Sequence, residues 1–218
     1  MWIRSESKEA VLPYIGCMPK SAATKVGKTA GHKKTPAISK KARIISSKVA
    51  YEGPAFWVTT DIVEEPSGIR ARRDVVRHSG SVVILAVDHS RGEPRVLLER
   101  QYRHAAGRYL LELPAGRIDE GEAGLTAAKR ELLEETGYTA RRWKRVLYFW
   151  ASPGFVAESM AIFLAQELTA GQAQPEADEA IELHLVPLRE AVKMVVTGKI
   201  HDGKTISGVL WLNAQQNH

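Results

Sequence analysis

The chain has 218 residues, of which 44% are hydrophobic and 26% charged, a composition typical of a globular protein that buries a sizeable core. Its apolar runs fall short of the roughly eighteen residues needed to cross a bilayer, and its start lacks the ordered segments of a signal peptide, so we expect a soluble cytoplasmic protein with no membrane partner. Cys17 is the only cysteine, which excludes an intrachain disulfide and a multi-cysteine zinc site.

The net charge of +6 is unevenly distributed along the chain. Residues 1–43 contain ten Lys or Arg against two Glu, whereas the rest contains 21 basic and 23 acidic residues. Large apolar residues are almost lacking between Lys20 and Lys41, so this segment cannot bury enough surface to offset its ordering entropy. We therefore predict that residues 1–42 form a disordered basic tail before a slightly acidic body.

The tail raises a hypothesis of another functional class, a polyanion-binding protein that uses residues 1–42. Lys-rich segments bind nucleic acid or anionic lipid without sequence preference. No aromatic residue lies between Lys20 and Lys41 to stack on bases, which favours a solvated tail over a dedicated nucleic-acid arm. We expect any binding of nucleic acid to be non-specific and confined to this tail.

The first half of the body is predicted to be β-structure. Its β-branched and aromatic residues are separated by turn sequences, such as Glu-Gly-Pro at 52–54 and Ser-Arg-Gly-Glu-Pro at 90–94. The predicted elements are a strand pair in residues 42–63, a strand at 70–80, a strand pair in 81–103, and a short strand with a glycine loop at 110–118.

The second half is predicted to mix helices and strands. Residues 122–136 have helical propensity and stop at Gly137, a residue suited to the left-handed cap position. The remaining predictions are strands at 144–151, 159–168 and 181–188, a charged loop at 175–180, and helices at 189–198 and 204–216.

Three glutamates crowd the first of these helices in the sequence RELLEETG. At about 100° per residue, Glu131, Glu134 and Glu135 share an arc of roughly 100° and repel each other. Leu125, Ala128 and Leu132 form a neighbouring stripe that is predicted to face the core. Two interpretations are open, a solvated acidic face or a site for Mg²⁺, because hard cations prefer clustered carboxylate oxygens.

The spacing of residues around this helix distinguishes the two interpretations. In GRIDEGEAGLTAAKRELLEETGY the fixed positions are, in order, Gly116, Glu122, Arg130, Glu131, Glu134, Glu135 and Gly137. This pattern resembles the signature of the Nudix hydrolase family, with Tyr138 in place of the usual aliphatic residue. The resemblance implies an α/β class Nudix fold, an α/β/α sandwich around a mixed sheet, and hydrolysis of a nucleoside diphosphate linked to another moiety.

The resemblance also implies a metal site. Glu131 and Glu135 correspond to the principal ligands of Mg²⁺ or Mn²⁺, Glu134 to a further ligand or water contact, and the Ala115 carbonyl to another ligand. Glu122 and Arg130 correspond to structural or orienting residues, with Arg130 holding a carboxylate in place.

Hydrolysis also needs a base to activate water, and in the family this is often a glutamate on a late, mobile loop. The loop in PEADEAIEL offers Glu176, Asp178, Glu179 and Glu182. The resemblance places a further metal ligand or the base at Glu179, with Glu176 as the competing candidate.

Segments outside the signature indicate the substrate. Pro153 follows Tyr138 by fifteen residues, and this proline together with ERQYR, LLELPAGRID, SPGFVAES and GKIHDGKT resembles the ADP-ribose pyrophosphatase subfamily over about residues 44–216. The expected reaction converts ADP-ribose into AMP and ribose 5-phosphate. The alternative within the family is another nucleoside diphosphate sugar or a dinucleotide.

Several residues outside the signature are candidates for binding the substrate. We expect Arg103 to contact phosphate and Arg72 or Arg73 to lie on the adenine or ribose side, because guanidinium groups bind phosphate and stack on flat rings. Phe155 is a further substrate-binding candidate, although for Phe155 and Tyr102 we favour positions in the aromatic core.

The resemblance further implies a homodimer. We expect three parts, the tail at 1–42, an N-terminal antiparallel β subdomain at 43–80 and the Nudix hydrolase domain at 81–218. The subdomain is expected to cross to the partner and help to build its substrate site.

Overall fold

The computed structural model describes residues 41–174 and 180–216. The predicted tail, apart from its last two residues, lies outside the described residues, as does the predicted charged loop apart from its last residue, Ala180. Within the described residues, no helix combines the length and hydropathy needed to cross a membrane.

Seven strands precede the first helix, four more follow it, and two helices end the described chain, in broad agreement with the sequence patterns. The strands are β1 (Arg43–Glu52), β2 (Trp57–Glu64), β3 (Arg70–Arg77), β4 (Ser81–Asp88), β5 (Arg95–Arg103), β6 (Arg108–Glu112), β7 (Ala115–Arg117), β8 (Tyr138–Trp150), β9 (Val156–Ala157), β10 (Ser159–Ala170) and β11 (Glu182–Pro187). The helices are α1 (Gly124–Thr136), α2 (Leu188–Val196) and α3 (Gly203–Gln216).

The N-terminal strands form a four-stranded sheet in the order β1-β2-β3-β9. The first three strands are antiparallel, and β9 joins β3 in parallel through Val76 and Val156. All ten residues of β1 are exposed, whereas alternate residues of β2 are buried, as expected for a strand with one covered face. The predicted antiparallel arrangement of this region is confirmed.

The remaining strands form a mixed seven-stranded sheet, in which β11-β5-β4-β10-β8 are consecutive, β6 pairs with β5 and β7 with β4. Strand β4 runs parallel to β10, and seven consecutive residues of β4 are buried. Burial on both faces requires a helical layer on each side, which suits its continuous apolar sequence.

Alternate residues of β4 belong to two separate hydrophobic clusters. Val82, Ile84 and Ala86 pack with residues of α1, whereas Val83, Leu85 and Val87 pack with residues of α2 and α3. The sheet therefore lies between helical layers, and the predicted α/β/α sandwich is confirmed.

Helix α1 differs from its prediction at one end and agrees at the other. It begins at Gly124 instead of residue 122, because Glu122 lies in the preceding turn, where its carboxylate accepts a hydrogen bond from Asp119 N–H. It ends at Gly137, whose φ of 72° is left-handed and whose N–H donates to Leu133 O. The expectation that Leu125 faces the core is wrong, since 40% of it is exposed.

Candidate active site

Strand β7 and helix α1 meet where Gly116 lies beneath the side chain of Glu131. A Cβ atom at Gly116 would be 1.9 Å from Glu131 Cδ, so a side chain there would force the Glu131 carboxylate to move. Glycine at 116 therefore allows the Glu131 carboxylate to lie directly over β7.

Arg130 offsets the repulsion among the glutamates of α1. Its Nη1 donates to Glu131 Oε1 at 2.7 Å and Glu134 Oε2 at 3.1 Å. Its Nε and Nη2 donate to both oxygens of Glu122, and Nη2 also donates to Arg117 O. Hydrogen bonding to Glu122 is the largest cause that raises the pKa of Arg130, and the same contact lowers the pKa of Glu122.

Glu135 is the most deeply buried of the three glutamates. Only 5% of it is exposed, and its Oε2 accepts a hydrogen bond of 3.1 Å from Ala115 N–H. Two of the residues proposed from the sequence as metal ligands, Ala115 and Glu135, are thus in direct contact between β7 and α1.

The chemistry of these donors fits a divalent cation. The guanidinium of Arg130 already contacts the carboxylates of both Glu131 and Glu134, so a positive charge at this point stabilises the two like charges. Among the residues that the structure describes, no three His, Cys, Asp or Glu side chains converge as a preformed metal cluster. Binding an ion there would require the Arg130 contacts to rearrange.

A buried ionic network lies behind Ala115. Arg103 donates three hydrogen bonds to the two oxygens of Glu112, and Lys204 Nζ donates to Glu112 Oε2 at 2.5 Å. Burial of Glu112 opposes its ionisation, but the contacts with Arg103 and Lys204 outweigh this effect and lower its pKa. Glu99, which is fully buried, lies 4.0 Å from Arg103.

This network opens into a cleft of about 230 Å³ beside β7. Its lining residues are His78, Ser81, Arg103, Ala115, Gly116, Arg117, Glu158, Met160 and Lys204. The cleft brings Arg103, predicted as a phosphate contact, next to Gly116 and Ala115. Three of the lining residues are Lys or Arg and one is acidic, so the cleft suits an anionic group.

The sequence reasoning did not assign roles to His78, Ser81, Glu158 or Lys204. Ser81 Oγ donates to Glu158 Oε1 at 2.7 Å, and His78 Nδ1 lies 4.0 Å from the same oxygen. Glu158 and Lys204 do occur in SPGFVAES and GKIHDGKT, so resemblance to the subfamily marked these segments without indicating which side chains enter the cleft.

A second cavity of about 420 Å³ lies between β3 and the loop after β8. It is lined by Arg73, Asp74, Val75, Trp150, Pro153, Gly154, Phe155, Val156 and Ala157. The core positions favoured for Phe155 and Tyr102 are wrong, because these rings are 58% and 49% exposed. Proline at 153 turns the chain there and leaves Phe155 at the cavity instead of in the core.

Of the two arginines predicted on the adenine or ribose side, Arg73 lines the second cavity and Arg72 does not. Arg72 pairs with Asp74 and is not among the residues lining either cavity, and Arg73 pairs with Glu65 at 2.6 Å. Glu176 and Glu179 lie outside the described residues.

Comparisons with known proteins agree with this geometry. The family model of the NUDIX domain matches residues 77–207. The chain is similar to the ADP-ribose pyrophosphatase of Bacillus subtilis, at 34% identity over 80% of this chain and 94% of that protein. It is also similar to the ADP-ribose pyrophosphatase of Mycobacterium tuberculosis, at 38% identity over 78% of this chain and 82% of that protein.

A solved structure described as an ADP compounds hydrolase has a TM-score of 0.68 to this chain. It covers 81% of this chain and 96% of its own, and at 22% identity it shows a shared fold. The family model, the two relatives and the Gly116–Glu131 arrangement agree, and the chain therefore belongs to the Nudix family of hydrolases.

Proposed function

We propose that this protein hydrolyses the pyrophosphate bond of ADP-ribose to give AMP and ribose 5-phosphate. The observation that carries the proposal is the contact of Glu131 and Glu135 of α1 with β7, at the rim of a cationic cleft. The two similar pyrophosphatases support ADP-ribose as the substrate.

Nudix hydrolases use a divalent cation, and we propose Mg²⁺, with Mn²⁺ as the alternative. Glu131, Glu134, Glu135 and the Ala115 carbonyl would hold it, with Glu179 as a further ligand. When bound, such an ion neutralises phosphate charge and polarises phosphorus toward attack by water.

The protein's own residues bind and orient the diphosphate. Arg103 is held rigidly by Glu112, so its guanidinium is pre-organised at the wall of the cleft and loses little entropy when it binds phosphate. Burial alone would lower the pKa of Arg103. Its hydrogen bonds to Glu112 outweigh this effect, so the pKa is raised and the group stays fully cationic.

Deprotonation of the attacking water requires a base. We assign this role to Glu179, with Glu176 as the competitor, because both lie in the acidic segment just before β11. Strand β11 pairs with β5, the strand that carries Arg103, so the segment is connected to an element of the site.

The adenine is proposed to occupy the cavity lined by Arg73, Trp150 and Phe155. Exposed aromatic faces stack on bases, and a guanidinium can add a cation–π contact. Arg72 stays the alternative to Arg73 for the adenine or ribose side, but as the next residue of β3 it points to the opposite face of the strand, so we favour Arg73.

We further propose a homodimer formed through residues 43–80. Strands β1 and β2 and the turn that joins them carry Ile44, Val49, Tyr51, Phe56 and Trp57, each at least 40% exposed, a composition typical of an interface. The division into a subdomain at 43–80 and a hydrolase domain at 81–218 belongs to this proposal. The cytoplasmic location stays a prediction.

The test is an AMP-release assay with purified protein, ADP-ribose and Mg²⁺, run beside a panel of other nucleoside diphosphate sugars and dinucleotides. We expect ADP-ribose to give the highest kcat/KM. Glu134→Gln and Glu135→Gln should lose at least a hundredfold in rate while their unfolding temperatures stay close to wild type. Glu120→Gln, in the exposed turn before α1, is the matched control and should retain full activity.

Wild-type protein that releases no AMP from ADP-ribose under these conditions contradicts the proposal. If another nucleoside diphosphate sugar gives a clearly higher kcat/KM, the assignment as a hydrolase stands and ADP-ribose is rejected as the preferred substrate.

A further inference from the structure

Lys204 is an unusual lysine because its side chain is only 9% exposed. Lysines are seldom buried so deeply, since removing an ammonium group from water is costly. Lys204 is one of the residues that line the cleft beside Gly116. Its side chain therefore lies at the cleft and is largely shielded from bulk solvent.

Two acceptors hold this ammonium group in place. Nζ donates to Glu112 Oε2 at 2.5 Å and lies 3.2 Å from Asp202 Oδ1. The other oxygen of Asp202 accepts hydrogen bonds from the N–H and the hydroxyl of Thr205, so the first turn of α3 is fixed at the same point. An ammonium has three N–H groups, and these two carboxylates engage two of them.

Charge balance at Glu112 does not require Lys204. Arg103 already hydrogen-bonds both oxygens of Glu112. Buried ion pairs of this kind contribute little to stability compared with apolar side chains of similar size. In the cluster as a whole, Arg103 and Lys204 face the carboxylates of Glu99, Glu112 and Asp202. Both cations also line the cleft, and this position points to a role for Lys204 there.

Arg103 Nη2 and Lys204 Nζ both donate to the single oxygen Glu112 Oε2, so the two cations are immediate neighbours. A diphosphate presents several anionic oxygens close together and matches such a pair. Glu112 holds the two like charges side by side before any ligand arrives.

We propose that Lys204 is a substrate-binding residue that contacts the diphosphate together with Arg103, with its third N–H directed to a phosphate oxygen. This inference rests on the proposed hydrolysis of ADP-ribose, because it assigns a phosphate contact to the same cleft. Glu112 and Asp202 are then positioning residues for this cation.

The experiment compares wild type, Lys204→Met, Glu112→Gln and the Glu112→Gln/Lys204→Met double variant. Lys199→Met, an exposed lysine just after α2, is the matched control. We expect the KM of Lys204→Met for ADP-ribose to rise about ten- to hundredfold, because a charge-assisted hydrogen bond to phosphate is lost. The control should keep the wild-type KM.

The double variant separates substrate contact from charge balance. In the double variant the Glu112–Lys204 contact is missing on both sides, so a difference in KM from Glu112→Gln reports the ammonium group itself and not a carboxylate that has lost a partner. The KM of the double variant should stay at least tenfold above that of Glu112→Gln alone. If the double variant instead matches Glu112→Gln in KM, Lys204 only balances charge and the proposal is overturned. Should Lys204→Met alone not fold, this second comparison decides.

Calorimetric titration with inorganic pyrophosphate in EDTA gives a readout that does not depend on turnover. Wild type should bind pyrophosphate at least tenfold more tightly than Lys204→Met, and Lys199→Met should bind as wild type does. Equal affinities would reject the Lys204 contact even if ADP-ribose is hydrolysed. Weaker binding by Lys204→Met with no hydrolysis of ADP-ribose would reject the proposed function and retain the phosphate contact.

Discussion

The Glu131 side chain occupies the space directly above Gly116, where a Cβ atom would lie 1.9 Å from Glu131 Cδ. Gly116→Ala should displace the carboxylate and lower kcat/KM by about a hundredfold, because misplacing a catalytic group by an ångström has an effect of this size. The variant should fold, since the displaced carboxylate lies at the rim of the cleft.

The matched control for this glycine is Gly124→Ala at the start of α1. A Cβ atom there would meet Phe163 and Val82 at ordinary distances of 3.7 Å and more, so activity should be retained. AMP release and thermal unfolding of both variants provide the measurement. Full activity in Gly116→Ala would contradict the steric argument.

Arg130 should matter for stability as well as for activity. Arg130→Met leaves Glu122, Glu131 and Glu134 without their shared cation, and we expect a loss of about 1–3 kcal/mol in the free energy of unfolding at pH 7. Urea unfolding measures this loss. Arg142→Met, which removes an exposed ion pair with Glu167, should cost less than about 1 kcal/mol.

The effect of Arg130 should also depend on pH. Arg130 lowers the pKa of Glu122 in the folded protein, so its stabilising contribution is present above the unfolded pKa of about 4.3 and is lost as pH falls through the folded pKa. The stability difference between wild type and Arg130→Met should therefore shrink between pH 7 and pH 3. A difference that grows toward pH 3 would contradict this assignment.

Asp61 carries a buried charge at the centre of the four-stranded sheet, where it is 2% exposed. It accepts hydrogen bonds from Ser47 Oγ at 2.6 Å and Arg77 Nη2 at 2.5 Å, and the Ser47 contact is the largest cause that lowers its pKa. Arg77→Met should destabilise the protein by about 1–3 kcal/mol, because Asp61 loses its charged partner but keeps the Ser47 hydrogen bond, and Arg77 is itself 30% exposed. Arg189→Met, at an exposed pair with Glu93, is the control.

The lowered pKa of Asp61 makes the Asp61–Arg77 ion pair sensitive to acid. A depressed pKa at Asp61 gives stability above the unfolded pKa of about 3.9, and this stability is lost as pH falls further. Unfolding midpoints from pH 5 to pH 2.5 should fall more steeply for wild type than for Asp61→Asn. Parallel curves would show that Asp61 is not ionised in the folded protein.

Phe155 should affect substrate affinity without affecting the fold. Phe155→Ala removes an exposed ring from the cavity lined by Arg73 and Trp150, and we expect the KM for ADP-ribose to rise about tenfold with an unchanged unfolding temperature. Leu210→Ala, on α3 and 41% exposed, is the control, because Leu210 lines neither cavity. A KM that changes equally in both variants would remove Phe155 from the adenine site.

The proposed dimer predicts that Ile44→Lys combined with Val49→Lys yields a monomer with reduced activity. Both side chains lie on β1 and are more than half exposed, so the charges should disturb an interface and not a core. Sedimentation velocity and AMP release measure the two effects. A wild-type protein that is monomeric and fully active would refute the dimer.

The strands and helices followed from the sequence where local patterns were strong. The continuous apolar run of β4 and the stop at Gly137 are local signals, and both predicted the observed elements. The two-residue strand β9 was missed, because its pairing with β3 depends on tertiary contact and not on its own residues. Leu125 was wrongly predicted to face the core for a related reason: the helical spacing of apolar residues does not determine the width of the buried stripe.

By itself, the sequence determined the family and the catalytic helix of this protein. Gly116, Arg130 and the three glutamates lie at characteristic spacings within one segment of the chain, and such spacings can be recognised in the sequence without knowledge of the fold. Only the tertiary structure decided what surrounds them. Lys204 and Arg103 come from α3 and β5, about a hundred residues apart in sequence, and they meet at one oxygen of Glu112 because the sheet and its helical layer pack together.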